Sequence, residues 1–328
     1  MAGRLKPITL KPIAFKPITM VAGVFFLVAA TAPLFVPSWA TLFALILAKS
    51  IVVLGIILLL QAGQVSFGHA MFFATGAYTA AFWGKFIGGG DILLDLLLGA
   101  VSSTLLGLIV GLFVVRYREI FFGMLNLAFS MVLWSLLEKM FHYTNGADGI
   151  RVARPGLLGL AFTPDAFQYV VLYVSLLIAV AAFFGVQRYL DSPLGHMLRA
   201  IKSNETRLEY LGTSARRVLL VGYVISALLG GIGGTLVAII QQIATPEFGY
   251  WTKSGEFVFI AILGGGAHAF GAFAGAAMFE VVRFYAAAQL ANAWQLILGV
   301  VLIVIILYAP NGLIGLRQRD DRAKQGGH

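Results

Sequence analysis

The chain runs to 328 residues, 60% of them hydrophobic and only 11% charged, with 23 lysines and arginines against 14 acidic residues and no cysteine. A soluble domain carries about a quarter charged residues, so this composition excludes an ordinary soluble fold, and the lack of cysteine excludes disulfides and thiolate metal sites. The formal net charge of +9 is gathered in short segments between apolar runs, a pattern of membrane topology and not of nucleic-acid binding.

Apolar runs such as 170–186 and 293–310 approach the roughly 20 residues that cross a bilayer as helix, and no period-two alternation suggests an outer-membrane barrel. The expected fold class is therefore all-α, a polytopic transmembrane helical bundle of about ten spans (eight to ten) containing Gly-broken helices. Residues 1–19 repeat Lys-Pro-Ile and contain no acid, which fits a basic arm lying on anionic lipid at the cytoplasmic face. Spans follow near 20–36, 40–60, 67–86, 92–115, 119–141, 166–187, 217–240, 253–267, 269–288 and 293–310, and the tail is 317–328. Basic stations occur at Arg4 to Lys16, at Arg116 and Arg118, between Arg188 and Arg217, and at Arg317 to Lys324. An even number of crossings between neighbouring stations puts all four, and both termini, in the cytoplasm. Evenness requires 253–288 to cross twice; a re-entrant segment there would break it.

The second span contains Lys49, for which the sequence names no partner, and the ninth contains Glu280 and Arg283, three apart and able to neutralise each other. Between the second and third spans lies "GQVSFGHAMFFATGAYTAA", residues 63–81, with Gln64, Ser66, Gly68, His69 and Thr75. In the second half "ILGGGAHAFGAFAGAAMFE" clusters Gly264, Gly265 and Gly266 beside His268. Paired Gly-interrupted segments in the two halves of a transporter point to the pathway, because unwound backbone at depth is tolerated only against protein or water. These residues are the candidate pathway-lining or hinge positions. The glycines alone favour close helix packing over translocation, and a lone membrane histidine more often bonds a backbone carbonyl than a solute.

Residues 190–215 form the longest polar stretch between spans. Ser192 and Pro193 read as N-cap and first helical residue. Leu194, Met197, Leu198 and Ile201 follow at helical spacing, Asn204 breaks the helix, and a second short helix ends at Gly212. Thr213 or Ser214 can cap the next span. Such a helix suits either a groove on a partner or the lipid interface, and the residues alone leave both open.

Five ordered stretches carry a resemblance to a known family: "AGQVSFGHAMFFATGAYTAA", "LAFSMVLWSLLEKMFHYTNGADGI" with Thr144, Gly146, Asp148 and Gly149, "SPLGHMLRAIKSNETRLEYLG", "ILGGGAHAFGAFAGAA" and "APNGLIGL". The chain resembles the permease subunits of bacterial ABC importers for branched-chain amino acids, a group that includes urea and short-amide permeases. The resemblance implies a type II-like importer permease in the inner membrane. It would work with a second, homologous permease subunit, two ABC ATPase subunits and a periplasmic substrate-binding protein. It further implies that the 190–215 loop is the coupling element, through Leu194, Met197, Ala200, Ile201, Asn204, Glu205, Arg207 and Gly212. ATP and Mg would be bound by the partners and no cofactor by this chain, which has no GxxxxGK[ST] phosphate loop. The sequence departs from the family at Arg207 and Leu208, where two alanines are usual, at Ile57 and Leu60, and at Asn145, which replaces a glycine. A stand-alone ion-coupled transporter or channel using Lys49, His69 or Glu280 is the alternative. An intramembrane enzyme lacks its motifs, since neither HExxH nor GxSxG occurs.

Overall fold

The computed structural model describes residues 17–88 and 90–289, with isolated positions 296, 299, 300, 303 and 307. The basic arm up to residue 16, most of the expected last span, and the tail 317–328 lie outside the described residues. Among those described there are eleven α-helices: α1 Pro17–Phe35, α2 Trp39–Gln61, α3 His69–Phe86, α4 Ile92–Val114, α5 Glu119–Lys139, the single turn α6 Phe141–Thr144, α7 Pro164–Leu190, α8 Pro193–Tyr210, α9 Ala215–Gln241, α10 Trp251–Gly264 and α11 Phe270–Gln289. Five of them, α2, α4, α5, α7 and α9, are long and apolar enough to cross a membrane. The all-helical expectation holds, and the helices fall where the apolar runs fall. The full count of ten crossings is not established by these helices.

α9 is the central element, packed along α2, α3 and α4, and its sequence explains how. The run Gly230-Gly231-Ile232-Gly233-Gly234 removes side chains where backbones meet. A Cβ on Gly231 would lie 2.2 Å from Ser103 Oγ, and one on Gly234 would lie 1.9 Å from the Phe73 carbonyl oxygen. On the facing surface, a Cβ on Gly76 would come within 2.1 Å of the Gly231 carbonyl. Lipid supplies no hydrophobic drive between helices, so close backbone approach and dispersion hold this centre together. The glycine of the 63–81 stretch that lies inside α3 thus serves packing.

The helix ends sort into two levels. The basic end gathers the C-termini of α2, α4 and α7, the N-termini of α5 and α9, and α8; Leu59, Val114, Phe122, Leu198, Leu208 and Tyr223 share one apolar cluster there. At the far end Lys85, closing α3, donates to the Tyr143 carbonyl at 3.1 Å. There β1 (Ile150–Arg151) pairs antiparallel with β2 (Ile243–Ala244), Ile150 opposite Ala244. Lys85 also reaches Asn145 Oδ1 at 3.4 Å. Asn145 has φ 58°, a left-handed conformation that asparagine tolerates best after glycine, which accounts for its standing in for the family's glycine.

The 253–288 region is a helical hairpin. α10 and α11 cross on glycines, a Cβ on Gly264 falling 1.8 Å from the Gly271 carbonyl oxygen and one on Gly275 falling 2.2 Å from that of Ile260. α11, with 20 residues, is about 30 Å long, while the 14 residues of α10 reach about 21 Å. α10 is shorter than a bilayer core of about 30 Å, and its start lies at mid-height.

Candidate functional site

Two helices begin in the middle of the bundle. α2 ends at the basic end, and residues 62–68 climb from there as irregular chain before α3 starts at His69. His69 Nε2 lies 2.5 Å from Ser226 Oγ, and Ser226 sits roughly 16 Å along α9 from Ala215. From the opposite direction, the chain leaves β2 at the far end and descends through a 3₁₀ turn, Pro246–Gly249, to Trp251. Ser130 Oγ donates to the Gly249 carbonyl at 2.9 Å, and the rings of Phe248 and Phe73 stand 5.2 Å apart. Where the two starts meet, the backbone N–H of Ala70 donates to Ser254 Oγ at 2.9 Å. A helix start leaves N–H groups without intrahelical partners, and at depth these must be met by protein; Ser254 meets one.

The sequence-based candidates divide accordingly. Ser66 and His69 are fully buried, Gln64 is buried, and Thr75 is half-buried. Gln64 Oε1 accepts from the Glu119 N–H at 2.8 Å, Ser66 Oγ accepts from the Gly68 N–H at 3.3 Å, and Thr75 Oγ1 donates to the Met71 carbonyl at 2.8 Å. Gly68 packs against α5, where a Cβ would lie 2.6 Å from the Asn126 carbonyl oxygen. Gln64 Oε1, Ser66 and Thr75 are thus satisfied within the subunit in this conformation, whereas the buried Nδ1 of His69 has no hydrogen-bond partner among the described residues. Gly264, Gly265 and Gly266 lie elsewhere, at the α10–α11 turn near the basic end, where Gln61 Nε2 donates to the Gly266 carbonyl at 2.6 Å. The second-half counterpart of the 62–68 break is residues 245–250. Pro246 and Gly249 next to a polar helix start at Ser254 were the available signal.

A charge ladder lies beside this junction. Lys49 Nζ, in the middle of α2 and 2% exposed, bonds both Glu256 of α10 and Glu280 of α11. Glu256 also takes Lys253 at 2.9 Å, and Glu280 has Arg283 at 3.6 Å. Lys49 thereby gains the partners that the sequence withheld, and the expected Glu280–Arg283 pairing is present. Signs alternate through the five residues, so each charge faces an opposite one, as removal from water demands.

At the basic end α8 forms as its caps dictate. Ser192 Oγ accepts from the Gly195 N–H at 3.3 Å, the backbone leaves the helix at Asn204, and Asn204 Oδ1 then accepts from the Arg207 N–H at 2.9 Å, capping the second turn-and-a-half. Gly212 carries φ 83°, as a residue after a helix end should. Leu198, Ile201 and Leu208 are buried in the subunit's own core; Ile201 therefore anchors the element from within. Leu194, Asn204, Arg207 and Gly212 are exposed, Met197 and Ala200 are half-buried, and Glu205 is paired with Arg118 at 2.7 Å. Tyr210 and Leu211, which are not among the sequence candidates, stand 88% and 76% exposed just before Gly212.

Residues 36–307 match the family described as branched-chain amino acid transport system / permease component. The chain is 29% identical over 289 residues to the high-affinity branched-chain amino acid transport system permease protein LivM of Salmonella typhimurium, covering 80% of this chain and 67% of the relative. It is 25% identical over 246 residues to the probable branched-chain amino acid transport permease protein LivM of Methanocaldococcus jannaschii, covering 70% and 69%. The permease protein LivH of Salmonella typhimurium is 26% identical over 154 residues, covering 47% and 48%. No solved structure matches significantly. With five apolar helices of membrane-spanning length and a match over most of its length, this chain is a membrane protein that belongs to the branched-chain amino acid permease family.

Proposed function

We propose that this permease forms half of the translocation pathway of an ATP-driven importer in the bacterial inner membrane. Its cargo is a branched-chain amino acid or a related small solute delivered by a periplasmic binding protein. It crosses the membrane ten times, with 20–316 as the transmembrane domain and both termini cytoplasmic. The basic residues of the α4–α5 turn and of 190–217 at one level favour that side as cytoplasmic. Two ABC ATPase subunits supply the nucleotide chemistry and hold ATP and Mg, and a homologous permease subunit completes the pathway. The solute passes where α3 and α10 begin; Ser66, His69 and Thr75 move into contact with it only as the two halves rock.

One observation carries this reading. α8 is anchored in the core by Leu198, Ile201 and Leu208 and still presents Tyr210 and Leu211 almost wholly to the outside, an element built to be gripped. A transporter driven by an ion gradient has no need of such a handle, and Lys49 and Glu280 are engaged with each other. Co-purification of the tagged chain from its native operon, followed by ATPase measurement in vesicles, tests the reading. The expected result is a complex with ATPases whose hydrolysis rises with substrate and binding protein. Solute accumulation by this chain alone, without any ATPase, refutes it.

A further inference from the structure

Arg118 is the most heavily bonded side chain at the basic end. Its Nε and Nη2 donate to the two carboxylate oxygens of Glu205 at 2.8 and 2.7 Å, a bidentate pair. Its Nη1 donates to the carbonyls of Val115 at 2.5 Å and Tyr117 at 2.9 Å, so the guanidinium is fixed to the α4–α5 turn. The next residue, Glu119, holds φ 54°, a left-handed backbone that is unfavourable for a non-glycine residue and persists only where its surroundings impose it. The Glu119 N–H donates to buried Gln64, which lies in the irregular 62–68 segment leading to α3. That segment also lies against α8: a Cβ on Gly63 would be 3.0 Å from Lys202 Cγ.

We propose that Arg118 and Gln64 are positioning residues that transmit movement of α8 to the mid-membrane start of α3. The path runs from Glu205 through Arg118 to the α4–α5 turn, from Glu119 to Gln64, and up the 62–68 segment to His69 and Ala70. Coupling between distant sites needs a physical connection whose ends move together, and these bonds supply one from the outer handle to the junction with α10. The inference rests on the assignment of α8 as the coupling element. The plain competitor is a half-exposed ion pair that contributes little to anything.

The test uses the intact complex of permeases, ATPases and binding protein, reconstituted in vesicles. It compares Arg118→Gln, Arg118→Lys, Gln64→Ala and Gln64→Glu. The readouts are the amount of ATPase that co-purifies and the ratio of substrate-stimulated to unstimulated ATP hydrolysis. Arg118→Gln and Gln64→Ala are expected to keep the ATPases bound and lower the ratio by about fivefold or more. Gln64→Glu retains an acceptor for the Glu119 N–H and is expected to retain coupling; Arg118→Lys, which cannot reproduce the bidentate pair, falls between. A wild-type ratio in Arg118→Gln overturns the proposal, as does loss of the ATPases themselves from that variant, which would make the pair a docking contact. Should Arg118→Gln fail to assemble altogether, the Gln64 pair decides, and equal ratios in Gln64→Ala and Gln64→Glu overturn it. Absence of ATPases from the wild-type complex would instead refute the assignment of α8.

Discussion

The backbone N–H of Ala70 and the hydroxyl of Ser254, 184 residues apart in sequence, join at 2.9 Å, tying together two helices that start in the middle of the bundle. Ser254→Ala leaves a buried N–H without an acceptor, at a cost of about 1–3 kcal/mol. The expected outcome is a lower thermal unfolding midpoint of the purified complex and a reduced transport rate. Ser254→Thr, which keeps the hydroxyl, should behave nearly as wild type. Equal midpoints for Ser254→Ala and wild type would show that water or another acceptor takes the place of Ser254 Oγ at no cost.

Lys49 holds the α10–α11 hairpin to α2 through the half-buried carboxylate of Glu256 and the buried one of Glu280. Lys49→Met removes the shared cation and leaves Glu256 with Lys253 and Glu280 with Arg283, both more exposed partners. Breaking a buried pair from one side costs about 3–5 kcal/mol, enough to lower the yield of assembled permease severalfold and to expose the hairpin to proteolysis. Lys49→Met combined with Glu280→Gln should recover part of that loss, because one of the two carboxylates that shared Lys49 no longer carries a charge. A double variant no better than the single would mean that the pair does not act as a unit.

Glycines in these helices divide by what surrounds them, and so do their expected substitutions. Gly234→Ala drives a Cβ to 1.9 Å from the Phe73 carbonyl oxygen, backbone that cannot rotate away, and overpacking of this kind costs about 1–3 kcal/mol or more. Gly185→Ala, on α7, meets nothing within 4 Å and gains helix propensity of about 1 kcal/mol. Thermal unfolding in detergent should fall for the first and stay level or rise for the second. The same direction for both would undo the assignment of close contact at the α3–α9 crossing.

These particulars show which features the sequence could disclose. Ser192, Asn204 and Gly212 announce α8 because cap chemistry is local: a side chain and its backbone partner lie within three residues. Helix bounds are legible for the same reason, as apolar runs end at polar or Gly-rich turns. Lys49 gave no hint of Glu256 and Glu280, 207 and 231 residues away, since only tertiary packing creates that neighbourhood. The histidine and glycines at 264–268 drew attention as a partner for 63–81 by composition, yet the break opposite His69 is at 245–250. A single proline, one glycine and a short following helix carry too little periodicity to mark depth in the bundle. Tyr210 and Leu211 carry no local mark of exposure in the sequence; burial of Leu198, Ile201 and Leu208 shows that they point away from the subunit.

Tyr210 and Leu211 supply the sharpest test of the proposed attachment of an ATPase to α8. Both are almost fully exposed, and the following Gly212, with its left-handed backbone, turns the chain back toward α9 so that the pair forms the tip of the element. Burying an apolar side chain of this size in a partner groove contributes about 1.5–3 kcal/mol. Leu211→Asp should therefore weaken ATPase attachment about tenfold or more, since it removes that burial and adds a charge that must be desolvated. The unfolding midpoint of the permease itself should not change, because neither side chain is part of the subunit core. Ile201→Asp provides the contrast: it places a carboxylate in the cluster with Leu198 and Phe122 and should destabilise the subunit before docking can be measured. Quantitative pull-down of ATPase against permease, alongside thermal unfolding, separates the two effects. Full ATPase recovery with Leu211→Asp would move the docking surface to the Leu194–Ala200 half of α8.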